Sequence, residues 1–214
     1  MPEGRHSLLA SMLAWVYDYV KSETIRRRLR SSIVLLEGGP ALSLTIRTIL
    51  RRHYSVDVGL HSVSPFVAKP QVLHPGTTVG RYSTIAESVR TFTRHHPMNT
   101  KSSHGLFYNP ALGWANAAPL AFGTLAIGNG VSIGHNAIIL HPSKRVGDGA
   151  VIAPGSVVYF DVPDYALVEG NPASVVGFRY AKDEIARILA SRWWEKPPAE
   201  CANVSVAAPV AGRG

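Results

Sequence analysis

Cysteine is all but missing from these 214 residues: the single one, Cys201, excludes an internal disulfide and makes the cytoplasm the expected setting. No apolar run approaches the roughly twenty residues that cross a bilayer. The run Leu8 to Val20 is shorter and carries Asp18, so it reads as an ordinary helix, and no membrane span is expected. Without a lysine-rich start or a small-residue cleavage site, it does not read as a secretory signal. Charge is sparse at 17%, and acid sparser than base, with 14 Asp and Glu against 22 Lys and Arg for a net +8. That balance favours anionic partners. The densest basic run, Arg26-Arg27-Arg28-Leu29-Arg30, reads as a solvated helix face. No zinc-finger, RRM or helix-turn-helix pattern accompanies it, so nucleic acid is not an expected partner.

What is present is a repeat. Residues 1–60 read as an amphipathic helical segment, with Ile46, Ile49 and Leu50 at i, i+3, i+4 and a break at Gly38-Gly39-Pro40 between two helical pieces. After Val58-Gly59 the texture changes to VLHPGT, VGRYST and IAESVR. It resumes further on as IGNGVS, IGHNAI, ILHPSKR, VGDGAV, IAPGSV and VYFDVP. Aliphatic residues stand at Val79 and Ile85, then at Ile127, Ile133, Ile139, Val146, Ile152 and Val158. After the interruption each step is six residues except the seven from Ile139 to Val146.

Six residues supply one short strand and its corner, so three such units close a triangular coil. The aliphatic residue points inward, and Gly, Asn and Asp suit the corners because they tolerate positive φ. A two-sheet sandwich would alternate at period two, which this spacing excludes. The predicted fold is mainly β: a parallel β-helix over 61–180 with an excursion loop at 92–124. A C-terminal helix at 181–196, with Ile185, Ile188, Leu189 and Trp193 on one face, is expected to cap the prism. The Ala-, Pro- and Val-rich tail 197–214 reads as disordered.

The interruption RHHPMNTKSSHGLFYN, Arg94 to Asn109, suits neither helix nor strand, and a loop of that length calls for a function or for disorder. Together the repeat, this loop and the ending VPDYALVEGNPASVVGFRY resemble the hexapeptide-repeat acyltransferases over about residues 35–195. Within that family the likeness is to the branch of xenobiotic (chloramphenicol and streptogramin) and polysaccharide O-acetyltransferases. The resemblance implies a left-handed helix, a homotrimer with active sites between neighbouring prisms, and acetyl-CoA as co-substrate with no metal. The implied acceptor is a hydroxyl of a sugar or polysaccharide precursor, or of a drug-like molecule.

It also implies roles. His96, in the His-His-Pro sequence, matches the general base, and an imidazole with a pKa of about 6.5 can both take the hydroxyl proton and return it to the thiolate. His95 precedes it, and Glu87 and Glu169 are candidates to orient it. Tyr82, Ser83 and His104 are placed toward the acceptor, with Phe107 and Tyr108 as an apolar or sugar-stacking wall. For coenzyme A the match places Gly134 and His135 near the thioester and Ala153 and Pro154 along the pantetheine arm. Tyr159, with Phe160, stands where relatives commonly carry Thr-Lys. Arg179 is placed toward the nucleotide phosphates, since Ser174 and Gly177 replace basic residues common in relatives. Rival readings are a metalloenzyme resembling the γ-class carbonic anhydrases through His135 and His141, a non-catalytic trimeric scaffold, and a serine acetyltransferase.

Overall fold

The aliphatic residues at six-residue spacing are the core. Val79, Ile85, Ile127, Ile133, Ile139, Val146, Ile152 and Val158 are each at most 4% exposed. Such burial contributes about 1.5–3 kcal/mol per side chain relative to exposure. The computed structural model describes residues 4–63, 67–93, 102–112 and 123–201.

Three parallel sheets enclose that core. On the first face β1 (Asp57–Val58), β2 (Thr77–Val79), β5 (Leu125–Ile127) and β8 (Arg145–Val146) are stacked. The second face holds β3 (Thr84–Ile85), β6 (Ser132–Ile133), β9 (Val151–Ile152) and β11 (Ala166–Gly170). The third holds β4 (Arg90–Thr91), β7 (Ile138–Ile139) and β10 (Val157–Val158). Successive strands visit the three faces in turn, and the register keeps like residues stacked: Val79 on Ile127, Ile85 on Ile133, Thr91 on Ile139. The chain is therefore wound as a triangular parallel β-helix. The first edge joins the first face to the second, the second edge joins the second to the third, and the third edge closes the coil.

Asn and Asp at the first edge work differently from expectation. Asn129 Oδ1 accepts from Arg81 N–H, Asp148 Oδ1 from Asn129 N–H, and Asp164 Oδ1 from Asp148 N–H, at 2.8, 2.6 and 2.8 Å. These side chains tie one coil to the next. At this edge positive φ falls instead on Gly130, Gly149 and Tyr165, which follow them, and on His61 and Tyr82 in the earlier coils. At Gly149 the need for glycine is steric as well, since a Cβ would stand 2.4 Å from the Tyr165 ring. Gly149→Ala is expected to cost about 2–3 kcal/mol, read as a lower denaturant midpoint at unchanged slope.

Helices plug the start of the prism, and there are three where two were expected. They are α1 (Leu8–Tyr19), α2 (Glu23–Leu36) and α3 (Leu44–Tyr54), with an additional break at Val20. Ser43 caps α3 by accepting from Ile46 N–H, and Arg51, Arg52 and His53 occupy its last turn, where cations suit the helix dipole. Val34, Ile46, Leu50 and Val56 join the prism core, covering its first coil. The prism itself begins at β1, a few residues ahead of the expected boundary at 61. Arg30 departs from the solvated reading of its run. It is fully buried, donating to Tyr17 Oη (2.8 Å), the Val67 carbonyl (2.7 Å) and Glu23 (2.7 Å).

At the far end β12 (Ala173–Phe178) folds back antiparallel on β11, so a hairpin forms the last rung of the second face. The C-terminal helix α4 (Lys182–Ala190) leads the chain back along the first edge. There Trp193 Nε1 donates to Tyr165 Oη at 3.1 Å, and its ring lies 5.4 Å from Tyr82. The short helix α5 (Pro198–Cys201) stands where disorder was expected; 202–214 lie outside the described residues.

Candidate active site

The excursion leaves the third edge after β4 and returns before β5. Gly123 N–H donates to the Thr93 carbonyl at 3.0 Å, and a Cβ on Gly123 would stand 2.7 Å from that oxygen. The two stems of the loop therefore meet across this hydrogen bond, and glycine lets them approach. Within the loop two 3-10 turns form, Gly105–Phe107 and Pro110–Leu112, where the sequence suggested no helix. Each is held by a local side chain. His104 Nδ1 accepts from Leu106 N–H at 3.3 Å, and Asn109 Oδ1 accepts from Ala111 N–H at 3.1 Å. His95 and His96 lie outside the described residues.

A cleft of about 780 Å³ opens on the third face beside this neck. Lys69, His74, Glu87, Ser88, Arg90, Phe92, His135 and Asn136 line it. The stem residue Phe92 tilts against His74, ring centroids 5.6 Å apart. Ser88 Oγ accepts from Asn136 N–H at 2.9 Å and meets His135 Nδ1 at 3.1 Å. One hydroxyl thus ties two coils together and fixes the His135 ring. Lys69 and Arg90 make the rim cationic, with Glu87 the acid beside them. Small residues, Ala86, Gly134 and Ala153, follow one another up the second edge, where Gly155 N–H bonds the His135 carbonyl at 2.8 Å.

Gly134, His135, Ala153 and Pro154 share that second edge, and Pro154 packs directly against Gly134. The other candidates are dispersed. Ser83 is fully buried in the first edge, donating to the Gly128 carbonyl (2.8 Å) and accepting from Val131 N–H (3.1 Å), so it cannot meet an acceptor. Tyr82 is held on the same edge: its ring stacks on His61 at 4.7 Å and its hydroxyl donates to the Lys196 carbonyl. Arg179 also belongs there. It donates to the Gly149 carbonyl at 2.8 Å and lies between the rings of Tyr165 and Tyr180. Tyr159 follows β10 on the third edge, half exposed beside Phe160. Glu169 pairs with Ser174 in the terminal hairpin, away from the cleft that Glu87 lines. His104, Phe107 and Tyr108 stand on the excursion, Phe107 being 63% exposed.

His135 and His141 had read as equivalent positions of consecutive repeats. Six residues advance only a third of a coil, so they occupy different edges, with β7 between them. Among the described residues no group of three metal-ligating side chains is assembled. Ser88, Asn136, Lys69 and Arg90 were not anticipated. Ser88 was findable: with the excursion cut out, IAESVR aligns on IGHNAI and places Ser88 one rung from Asn136.

No family model matches the chain. A chloramphenicol acetyltransferase from Morganella morganii is 33% identical over 156 residues, covering 67% of this chain and 74% of that protein. Another, from Agrobacterium fabrum, is 45% identical over 91 residues, covering 42% of this chain and 41% of that protein. Among solved structures, a hexapeptide-repeat acetyltransferase from Vibrio cholerae covers 85% of this chain and 98% of its own at 20% identity and a TM-score of 0.45, too distant to bear on function. The repeat, its interrupting loop and the extent of the Morganella match place the chain in one family: it belongs to the hexapeptide-repeat acyltransferases, in the branch that includes the chloramphenicol acetyltransferases.

Proposed function

We propose that this chain is an acetyl-CoA-dependent O-acetyltransferase that works in the cytoplasm as a homotrimer of left-handed prisms and acetylates a sugar or polysaccharide-precursor hydroxyl. The observation that carries this reading is the root of the excursion on the rim of the cleft. Phe92 lines the cleft, Thr93 closes the neck, and three chain steps to His96 reach at most about 11 Å. In the proposed reaction His96 takes the acceptor's hydroxyl proton as the oxygen attacks the thioester carbonyl. Backbone amides stabilise the oxyanion, and collapse expels the coenzyme A thiolate, which recovers the proton from the imidazolium.

The small residues of the second edge favour close approach of a pantetheine arm, with Gly134, His135, Ala153 and Pro154 along it. For the phosphates, Lys69 and Arg90 are better placed than Arg179, whose guanidinium is already engaged on the first edge. If His135 contacts the donor, Ser88→Ala is expected to raise KM for acetyl-CoA three- to tenfold, roughly one lost hydrogen bond, with kcat little changed.

A second reading, acetylation of a drug-like hydroxyl, is favoured by the relatives named chloramphenicol acetyltransferases. Thiol release from acetyl-CoA in the presence of a sugar panel and of chloramphenicol decides between them. Turnover with a sugar supports the first reading, and turnover with chloramphenicol alone supports the second. The absence of both turnover and calorimetric acetyl-CoA binding would leave a scaffold.

A further inference from the structure

Helix α1 is apolar apart from Ser11 and Asp18, yet only one side of it is covered. Ala10, Leu13, Ala14 and Tyr17 pack inward against Ile33 and Ile49. Leu8, Met12, Trp15 and Tyr19, at i, i+4, i+7 and i+11, form an outward stripe 82, 66, 64 and 71% exposed. Leu9 and Val16 widen it. A soluble helix normally turns a polar face outward, so an apolar stripe left to solvent marks a contact surface.

The charge of the helical segment that carries this stripe points to its partner. Residues 1–56 hold nine Lys and Arg against four Asp and Glu, the larger part of the net +8. Their described carboxylates are all engaged. Asp18 contacts His53 Nε2 and Arg52 Nη1 at 2.8 Å each, Glu23 pairs with Arg30, and Glu37 is buried. Lys21, Arg27 and Arg28 are exposed, and none of them has an ion pair among the described residues.

We propose that the outward face of α1 docks on an anionic lipid surface, lying in the plane of the interface. Twelve helical residues extend about 18 Å, too short to cross a bilayer but suited to lie along one. Trp15 and Tyr19 carry rings that favour the headgroup boundary, and the unpaired cations attract anionic headgroups. A second copy docked through this face would set two segments of the same net positive charge against each other, which like-charge repulsion opposes.

Co-sedimentation of the full chain with vesicles tests this. Binding is expected to an equal mixture of phosphatidylcholine and phosphatidylglycerol, to exceed that to phosphatidylcholine alone, and to weaken with salt. The Leu8→Gln/Met12→Gln/Trp15→Gln variant should bind at least about a hundredfold more weakly. Arg27→Gln/Arg28→Gln should lose roughly thirtyfold. Both alter exposed side chains, so an unchanged thermal midpoint certifies the fold. The inference is overturned if wild type stays in the supernatant, or if the triple variant sediments like wild type. It is also overturned if sizing without lipid reveals a self-association that the triple variant disperses while vesicles bind neither protein.

Discussion

His96→Ala is expected to lower turnover by about 10²- to 10⁴-fold while leaving the unfolding midpoint where it is. The magnitude follows from the proton that must leave the acceptor hydroxyl as it attacks; without a positioned base, water has to take it. The fold should not respond, because among the described residues the buried aliphatics of the prism and the rungs of its ladder lie outside the excursion that carries His96. The pH profile gives a second reading of the same variant. Wild-type turnover should fall in acid as the imidazole becomes protonated and can no longer accept. That acid limb should disappear from the residual rate of the alanine variant. A variant that keeps more than about a tenth of the wild-type rate would place the base elsewhere.

The largest expected effect on stability is at Glu37. Its carboxylate, 1% exposed, accepts from Ser7 N–H and Thr45 Oγ1 on one oxygen and from Ser43 Oγ and Thr45 N–H on the other. It thereby joins the start of α1, the end of α2 and the start of α3. Beside it Arg47, held by the carbonyls of Ala41 and Gly59 among others, links α3 to the first corner of the prism; burial pulls its guanidinium down to about 10 although Glu37 opposes this. Glu37→Ala leaves the four donors without their acceptor in a closed space. The expected cost is about 3–5 kcal/mol, measured by denaturant unfolding. Burial alone would raise the carboxyl's pKa, but the bonds from Ser43, Thr45 and Ser7 outweigh it, and the folded value lies below the ordinary one. Its contribution is therefore fully present above the ordinary carboxylate pKa of about 4.3 and is lost as pH falls through the folded value. Wild-type stability should decline in that acid window, and Glu37→Gln should flatten the decline.

Much of the prism was legible because its rule is local. An inward aliphatic every sixth residue fixes the coil, and all eight of the positions read from the sequence are buried. The helical start was legible from Ile46, Ile49 and Leu50, of which the first and last plug the prism. What escaped depends on contacts between coils or at long range. Tyr82 and Tyr165 take a positive φ that composition would assign to glycine or asparagine, because the aromatic packing of the first edge holds them there. The return of Trp193 to Tyr165 and Tyr82 joins residues far apart in the sequence, and nothing in the helical pattern of α4 announces it. For the same reason nothing local announces that Arg179, which the resemblance places toward the nucleotide phosphates, lies against the rings of Tyr165 and Tyr180. Of the residues that line the cleft the sequence offered Glu87 and His135, but Ser88 appears only when the coils are stacked.

The bond between Thr93 and Gly123 has a consequence for how such a scaffold can diversify. Thr93 follows β4 and Gly123 precedes β5, and the ladder partners of both strands, β7 for one and β2 and β8 for the other, lie within the prism. Doubling the length of a flexible loop adds only about 0.6 kcal/mol of closure entropy. Chain of differing length and chemistry can therefore be inserted at this knot while the rungs beneath keep their register.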